Sequence, residues 1–344
     1  MSRFVLCRPR GGLNDTLCQL AACWLYAEKF ERTLVIDTTT SWMKRPLHTY
    51  FRITHSACPV IGELDDETLD QLNTLSCYPR EVAGVLGEYV PVCRGPEGVF
   101  DKKTDVQLTF DFTRDYQEDV VLHERYGGGA LSLNCLTRIA FQPDISKHVM
   151  SRVGQLPRNR VGMHVRHTDI QTDYMSFFDR VKSMAGDDAL LICSDNFSVI
   201  DAARDILGDD RVVCSSIPPN LGGEAIHQFQ GITHSDKHQL NLDMLTDLFA
   251  LSLCSKLHIA RLTSGGVSGF SRLAWMLHMN PKVRNQVIGD DDLLGSKDFI
   301  PERDLDRSLP IDVILNRPFK KLASVNTLYA VYCAYFSKHQ DVFK

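Results

Sequence analysis

The stretch Val161-Gly162-Met163-His164-Val165-Arg166-His167-Thr168-Asp169 decides the fold, because a mostly apolar run ends here in a group of polar and charged residues. The pattern predicts a buried strand over 161–165 whose carboxyl end carries polar side chains. Ligands of open α/β sheets lie beyond the carboxyl ends of the strands, and a guanidinium holds phosphate oxygens through a fixed fork of donors. We therefore predict that Arg166 binds a phosphate. The alternative is that Asp169 and Arg166 form a purely structural ion pair.

A strand, a glycine turn and a helix follow one another near the N-terminus. Phe4-Val5-Leu6-Cys7 is strand-like, and a helical pattern extends from Thr16 to about Phe30. The Gly11-Gly12 turn lets the backbone approach a ligand, and Asn14 or Asp15 can cap a helix whose free amides favour an anion. Arg10 stands beside the turn. The spacing is not that of a dinucleotide site, and the simpler interpretation is a change of chain direction.

A third segment combines the same features in the second half of the chain. Residues 257–260 are strand-like, a Thr-Ser-Gly-Gly loop follows at 263–266, and an amphipathic helix is predicted over 268–279. Ser264 or Ser268 could donate to a phosphate together with the amides of that helix. The alternative is an ordinary serine cap.

Five short motifs, spanning residues 11 to 274, resemble those of the fucosyltransferases and occur in the family's order. Residues 11–21 resemble the G-G-L-G-N-x-x-x-Q-x-A opening of α-1,2-fucosyltransferases. Residues 164–169 resemble the H-V-R-R-[TG]-D motif of α-1,2 and α-1,6 enzymes, and the bacterial nodulation α-1,6 enzymes carry H-V-R-H. The other three matches are Cys193-Ser194-Asp195-Asn196, the D-L-x-x-L-S helix at 247–252, and Ser268-Gly269-Phe270-Ser271.

The resemblance implies an inverting, metal-independent enzyme that moves L-fucose from GDP-fucose to a hydroxyl of a glycan or glycolipid-linked saccharide, without a cofactor. Negative charge develops on the β-phosphate as the sugar leaves, and preorganised donors there lower the barrier. Arg166, with Ser264 or Ser268, would supply those donors, and Arg10 with the Gly11-Gly12 turn would close from the other domain.

The remaining donor contacts are carried over from the same resemblance. His164 and Asp247 would lie near the guanine, because a carboxylate that only accepts suits the hydrogens on guanine N1 and N2. Without the resemblance, Asp247 is a solvated helix residue. Further donor contacts are expected from Asn14, His167 and Asp195.

The general base is less well defined by the sequence. Asp169, His167 and Asp173 lie near Arg166 along the chain, and Asp169 could instead orient Arg166. The chain departs from the family pattern, with His167 at the second arginine and Asn14-Asp15 in place of Gly-Asn. Residues 40–150 match no family motif, and acceptor specificity is expected there, so the linkage stays open between α-1,2 and α-1,6.

Alternating strand and helix patterns predict an α/β fold, and the resemblance implies a GT-B arrangement of two Rossmann-type domains facing a cleft. The predicted domains are an acceptor-side domain at 1–155, a nucleotide-sugar-binding domain at 156–300, and a tail at 301–344 that packs back across both. Residues 156–160 are the predicted linker. A tail resting on a membrane is the alternative, although its few lysines make a poor basic patch. Strands are predicted at 33–37, 88–92, 106–112 and 120–124, with helices at 145–154, 174–184, 197–207 and 239–254, and further strands at 189–193 and 211–214.

Composition limits the function classes further. The net charge of −5 over 344 residues argues against a nucleic-acid surface. Without a long apolar segment or a signal-peptide pattern, we expect a cytoplasmic enzyme with at most peripheral membrane contact. Several of the eleven cysteines, such as Cys7, Cys193 and Cys254, fall in apolar patterns, and the cysteines are expected to be small buried hydrophobes. Acidic groups at 187–188, 209–210 and 290–292 lie at predicted turns, so no metal site is predicted.

Two other classes of function remain open at this point. Arg166-His167 resembles the nucleophile motif of histidine phosphatases, in which the imidazole is phosphorylated. The glycine of that motif is Thr168 here, and no second acid pair is evident. A catalytically silent nucleotide-binding or scaffold protein is the other alternative, because a fold does not fix an activity.

Overall fold

Strands and helices alternate along the chain, as the apolar patterns predict. The structure, a computed structural model, describes residues 3–221 and 233–289. The strands there are β1 (Phe4–Pro9), β2 (Thr33–Ile36), β3 (Phe51–Ile53), β4 (Val60–Ile61), β5 (Cys77–Tyr78), β6 (Pro91–Cys93), β7 (Val99–Asp101), β8 (Val120–Arg125), β9 (Ile139–Phe141), β10 (Arg160–Val165), β11 (Ala189–Ser194), β12 (Val212–Val213) and β13 (Lys256–Ile259). The α-helices there are α1 (Leu13–Lys29), α2 (Asp66–Asn73), α3 (Ser132–Leu136), α4 (Pro143–Val153), α5 (Tyr174–Met184), α6 (Phe197–Leu207), α7 (His234–Ser252), α8 (Gly269–Met279) and α9 (Pro281–Ile288).

The first sheet is parallel and has the order β4-β2-β1-β8-β5. All six residues of β1 are buried, because a central strand of a parallel sheet is covered on both faces. The chain leaves β1 through Gly11, whose φ of +90° favours glycine, and enters α1 at Leu13. The predicted strand, glycine turn and helix are therefore confirmed.

The second sheet is also parallel, with the order β12-β11-β10-β13. The predicted strand at 161–165 is confirmed as the buried β10. Met163 and Val165 pack on the side of α5 and α6, whereas His164 points to α8. Gly162 lies on the same side of the sheet as His164. A glycine is needed at this position, because a Cβ built there would lie 2.8 Å from Sγ of Cys254.

One apolar core joins the two halves of the chain. It contains residues of β1 and α1 together with residues of α4, α7 and α8. Phe141 of β9 packs on Phe249 of α7 with ring centroids 4.9 Å apart. Nδ2 of Asn241 donates to the carbonyl of Met43 at 2.9 Å and to the hydroxyl of Tyr50 at 2.8 Å. The core brings α1 against α8, so the helices that follow β1 and β13 meet.

The region between the two halves differs most from expectation. The predicted strand at 106–112 is wrong, because only Gln107 forms an isolated bridge, with Phe100. Leu108, Phe110 and Phe112 are buried from a loop, so their alternation reflects burial without strand pairing. The predicted strand at 88–92 is replaced by the shifted β6. The unpredicted elements are β3, β4, α2, β5, β7, α3, β9 and α9.

Other expectations meet the limits of the described residues. The predicted linker at 156–160 lies between α4 and β10, and the domain boundary there stays a prediction. The tail at 301–344 and the acidic run at 290–292 fall outside the described residues. Within 3–221 and 233–289, no helix combines the length and the apolar character that a membrane span requires. Eight of the ten cysteines in these ranges are buried, as expected, while Cys214 is half-buried and Cys93 is exposed.

Candidate active site

Arg166 lies just beyond the carboxyl end of β10, between two carboxylates. Its Nε and Nη2 donate to Oδ1 of Asp169 at 3.1 and 2.5 Å, and its Nε lies 3.3 Å from Oδ2 of Asp195. The Arg166 side chain keeps 25% of its surface exposed, so a ligand can still reach the guanidinium. Asp169 therefore orients Arg166, which was one of the two roles predicted for it.

Asp195, at the end of β11, fixes the loop that follows Arg166. Its carboxylate accepts from the backbone N–H of His167 at 2.8 Å and from Oγ1 of Thr168 at 2.6 Å. Nδ2 of Asn196 donates to the carbonyl of His167 at 2.7 Å. Two adjacent strand ends are thus locked together, and preorganised groups of this kind are what charge stabilisation in a transition state requires.

A short chain of hydrogen bonds connects β10 to the beginning of α8. Nδ1 of His164 lies 2.6 Å from Oγ of Ser271, which lies 2.8 Å from Oγ of Ser268. Burial lowers the pKa of His164 to about 4, so its imidazole is neutral at neutral pH. The ring of Phe270 packs 4.8 Å from the imidazole, centroid to centroid.

The two serines that competed for a phosphate role occupy different positions. Ser268 is buried and caps α8, where its Oγ accepts from the backbone N–H of Ser271 at 3.1 Å. Ser264 is exposed, in a turn whose Gly265 and Gly266 have φ of +88° and +76°. Ser268 therefore belongs to the helix N-terminus beside His164. Ser264 lies in the loop in front of that terminus.

Asp247 lies on α7 and reaches the residues that follow β12. Its Oδ1 accepts from Ser215 Oγ at 2.6 Å, and Ser216 Oγ donates to both carboxylate oxygens at 2.9 Å. Burial raises the pKa of Asp247 to about 6, although the serine hydroxyls stabilise the ionised form. Cys193, the β11 residue in register with His164, also bonds to Asp247. The structure thus brings His164 and Asp247 to the same side of the second sheet.

The first sheet contributes the Gly11-Gly12 turn and its neighbours. Nε of Arg10 lies 2.5 Å from Oε1 of the buried Glu124. Asn14 is buried, with its Oδ1 accepting from Ser132 Oγ at 2.7 Å. A Cβ built on Gly269, the first residue of α8, would lie 3.3 Å from Cβ of Asn14. The N-termini of α1 and α8 therefore touch, and their free amides open onto the same region. The side chain of Asn14 is engaged within the protein, and its contact with a donor stays a prediction.

Asp173 and His167 have local structural partners. The exposed Asp173 caps α5 by accepting from the N–H of Ser176 at 3.2 Å, and hydrogen bonding to Ser176 lowers its pKa. The backbone N–H of Thr172 donates to Nδ1 of His167 at 3.2 Å, so the ring proton lies on Nε2. A phosphatase nucleophile needs a free lone pair, which this tautomer lacks on either nitrogen. The geometry therefore does not favour the phosphatase alternative.

Sequence reasoning assigned no role to the residues that hold the site together from a distance. Ser271, Ser215 and Ser216 orient His164 and Asp247, and Glu124 holds Arg10. Ser271 belongs to the quoted motif at 268–271, but no local pattern pairs it with His164, which is 107 residues away. Within the two described ranges, no group of three or more His, Cys, Asp or Glu side chains is arranged to hold a metal ion.

The protein is an α/β protein with two parallel sheets. Groups that can donate hydrogen bonds to a phosphate lie where the helices α1 and α8 meet. This arrangement defines a GT-B-like fold. The crystal structure of fucosyltransferase NodZ from Bradyrhizobium has this fold, with a TM-score of 0.55 at 18% identity over 80% of this chain and 94% of that chain. A NodZ α-1,6-fucosyltransferase soaked with GDP-fucose gives a TM-score of 0.54 at 19% identity, covering 80% of this chain and 93% of that chain. The predicted fold class is confirmed.

The family model for Nodulation protein Z (NodZ) matches residues 1–179, more than half of the 344 residues. The chain belongs to this family, which confirms the fucosyltransferase resemblance seen in the motifs. Nodulation protein Z of Bradyrhizobium diazoefficiens is 26% identical over 186 residues, which are 48% of this chain and 47% of that protein. The chain thus spans about half the length of the curated relative that it matches.

Proposed function

We propose that this protein is an inverting fucosyltransferase that moves L-fucose from GDP-fucose to a hydroxyl of a glycan or glycolipid-linked saccharide in the cytoplasm. The oxygen of the acceptor attacks C1 of fucose, the bond from C1 to the β-phosphate oxygen breaks, and GDP leaves. Arg166 stabilises the negative charge that develops on the diphosphate, together with Ser268 and the amides at the start of α8.

The observation that carries this proposal is the position of Arg166. Its guanidinium is oriented by two carboxylates, remains partly exposed, and stands at the strand end of the second sheet. Arginine suits a diphosphate because its planar fork of N–H donors matches the geometry of phosphate oxygens. The NodZ crystal structures that share this fold include one with GDP and one soaked with GDP-fucose, which favours the same donor here.

The other assignments of the site are those that the family resemblance implies. Asp247 recognises guanine and His164 packs beside the base. Arg10, the Gly11-Gly12 turn and Asn14 cover the donor from the first sheet, and Ser264, His167 and Asp195 border it from the second. The reaction needs no metal, because cationic and N–H donors meet the charge of the leaving group.

Calorimetric titration with GDP, UDP and inorganic phosphate in the presence of a chelator tests the proposal. We expect selective, chelator-resistant binding of GDP, followed by release of GDP from GDP-fucose only when a glycan acceptor is present. NMR of the product then assigns the linkage and the inverted anomeric centre. Phosphate binding alone, or no nucleotide binding, would contradict the proposal.

Arg166→Ala serves as the site variant in the same assay, and Arg204→Ala is its matched control. Arg204 on α6 also lies near two aspartates, with its side-chain nitrogens 3.7 Å from Asp201 Oδ1 and 3.5 Å from Asp209 Oδ1. Transfer should fall about 10²- to 10³-fold in the Arg166 variant and be retained in the Arg204 variant.

A further inference from the structure

Asp15 lies in the first turn of α1, between two glycine segments. A Cβ built on Gly11 would lie 3.2 Å from its Oδ2, and a Cβ built on Gly128 would lie 3.1 Å from its Oδ1. The backbone N–H groups of Gly12 and Gly127 lie close enough to the carboxylate to favour its ionised form. Glycines at these positions allow the backbone to approach the carboxylate closely, so the side chain is held in one place.

This position places Asp15 at the junction of the two sheets. The preceding residue, Asn14, packs against Gly269 at the start of α8. The carboxylate of Asp15 is near enough to Arg166 for their charges to interact. The side chain remains partly exposed, in contrast to the buried Asn14. A carboxylate from the helix that follows β1 therefore lies in the same region as the arginine that follows β10.

The other carboxylates around this region are held by cations or cap helices. Asp169 and Asp195 contact Arg166, and the buried Glu124 contacts Arg10. Asp173 caps α5. The interactions of Asp15 with backbone N–H groups leave it capacity to accept a further proton or hydrogen bond.

The electrostatics of Asp15 agree with this geometry. Burial raises its pKa above the ordinary aspartate value of 3.8, and this effect outweighs the hydrogen bonds from Gly12 and Gly127 and the attraction of Arg166. A carboxylate with a raised pKa is a stronger base toward a hydroxyl than an exposed aspartate. Hydrogen bonding to Ser176 has the opposite effect on Asp173, which makes that residue a weaker base.

We propose that Asp15 is the general base of the transfer reaction, an inference that rests on the proposed function. Asp15 accepts the proton of the acceptor hydroxyl as the new bond to C1 of fucose forms. The bond from C1 to the β-phosphate oxygen breaks on the opposite side of the sugar, where Arg166 meets the leaving GDP. Atoms and charge balance, because the proton ends on Asp15 and the electron pair ends on GDP.

Asp15→Asn tests the inference, because the amide keeps the shape of the carboxylate but is a very poor proton acceptor. We expect kcat to fall about 10²- to 10⁴-fold while the Kd for GDP stays within about twofold. Asp65→Asn is the matched control, since Asp65 is an exposed aspartate that caps α2 by accepting from the N–H of Thr68 at 2.8 Å. This control should keep wild-type turnover.

The pH profile of the unchanged protein gives a second measurement that does not depend on the folding of a variant. At saturating GDP-fucose, where protonation of Asp247 no longer limits donor binding, kcat should decline toward acid with an apparent pKa above 3.8, and Asp15→Asn should lose this decline. A profile without such a decline would overturn the inference, as would equal turnover by Asp15→Asn. Absence of fucose transfer by the unchanged protein would overturn the proposed function and this inference with it.

Discussion

Guanine binding by Asp247 should depend on pH in a way that diphosphate binding does not. Burial raises the pKa of Asp247 to about 6, and only the ionised carboxylate can accept hydrogen bonds from both N1 and N2 of guanine. With this pKa, about 97% of the carboxyl groups are ionised at pH 7.5 and about 9% at pH 5. The affinity for GDP should therefore fall roughly tenfold between these two pH values.

Calorimetry with GDP and UDP at pH 5, 6 and 7.5 measures this effect. UDP carries the same diphosphate, so it controls for protonation of the phosphate and of groups around it. Asp247→Asn should weaken GDP binding about 10- to 100-fold at pH 7.5, corresponding to a bidentate base contact of about 1–3 kcal/mol, and should remove the extra pH dependence. UDP binding should change little. A parallel response of GDP and UDP would refute the role of Asp247 in reading guanine.

The same substitution separates binding from stability. A carboxyl group whose pKa is raised by folding binds more protons in the folded state between about pH 4 and 6, so stability falls as pH rises through that interval. The loss of stability caused by burying the ionised carboxylate is fully present at pH 7. Asp247→Asn removes it and should raise the free energy of unfolding by about 1–3 kcal/mol in chemical denaturation. Loss of GDP binding in a protein that is more stable cannot be ascribed to damage of the fold.

Three further perturbations have defined outcomes. Arg166→Ala should lower kcat about 10²- to 10³-fold in steady-state kinetics, because the leaving diphosphate loses its charge partner. In urea denaturation, the free energy of unfolding should change by about 1 kcal/mol or less. Gly162→Ala should cost about 1–3 kcal/mol in urea denaturation, because its Cβ would lie 2.8 Å from Sγ of Cys254, and the added change Cys254→Ala should recover part of this. Burial lowers the pKa of Lys237 from 10.5 to about 7, so the unfolded chain binds more protons between these values and stability rises with pH. Lys237→Met should therefore raise the melting temperature at pH 6, with a gain that disappears toward pH 10, and a gain that is equal at both pH values would contradict this reasoning.

The second half of the fold could be predicted because its two central strands, β10 and β11, are long and mostly apolar. β10 and β11 each have six residues, and a continuous apolar run of that length bounded by turn residues indicates a parallel strand. The first half was harder, since β4 and β5 have two residues each and carry no period. The loop at 106–112 shows the opposite error, because its alternating apolar residues fill a core without pairing into a sheet.

The site divides in the same way between local and distant contacts. The pair Arg166 and Asp169 is three residues apart, so its ion pair is readable from the sequence. His164 and Ser271 are separated by 107 residues, and their contact depends on β10 and β13 being neighbours. Asp15 lies on the helix that follows β1, and Arg166 follows β10 of the other sheet. Their proximity follows only from the packing of α1 on α8, which no local pattern specifies.

The shared apolar core has a consequence for how the protein unfolds and evolves. Helices α1, α4, α7 and α8 contribute to one core, so the two sheets should lose their structure in a single cooperative transition. A destabilising substitution deep in the first half then lowers the fraction of molecules with an intact site as much as an equally destabilising one beside Arg166. Selection on residues 40–150, where the sequence predicts acceptor specificity, is therefore expected to be constrained by the stability of the whole protein, with changes first at exposed side chains.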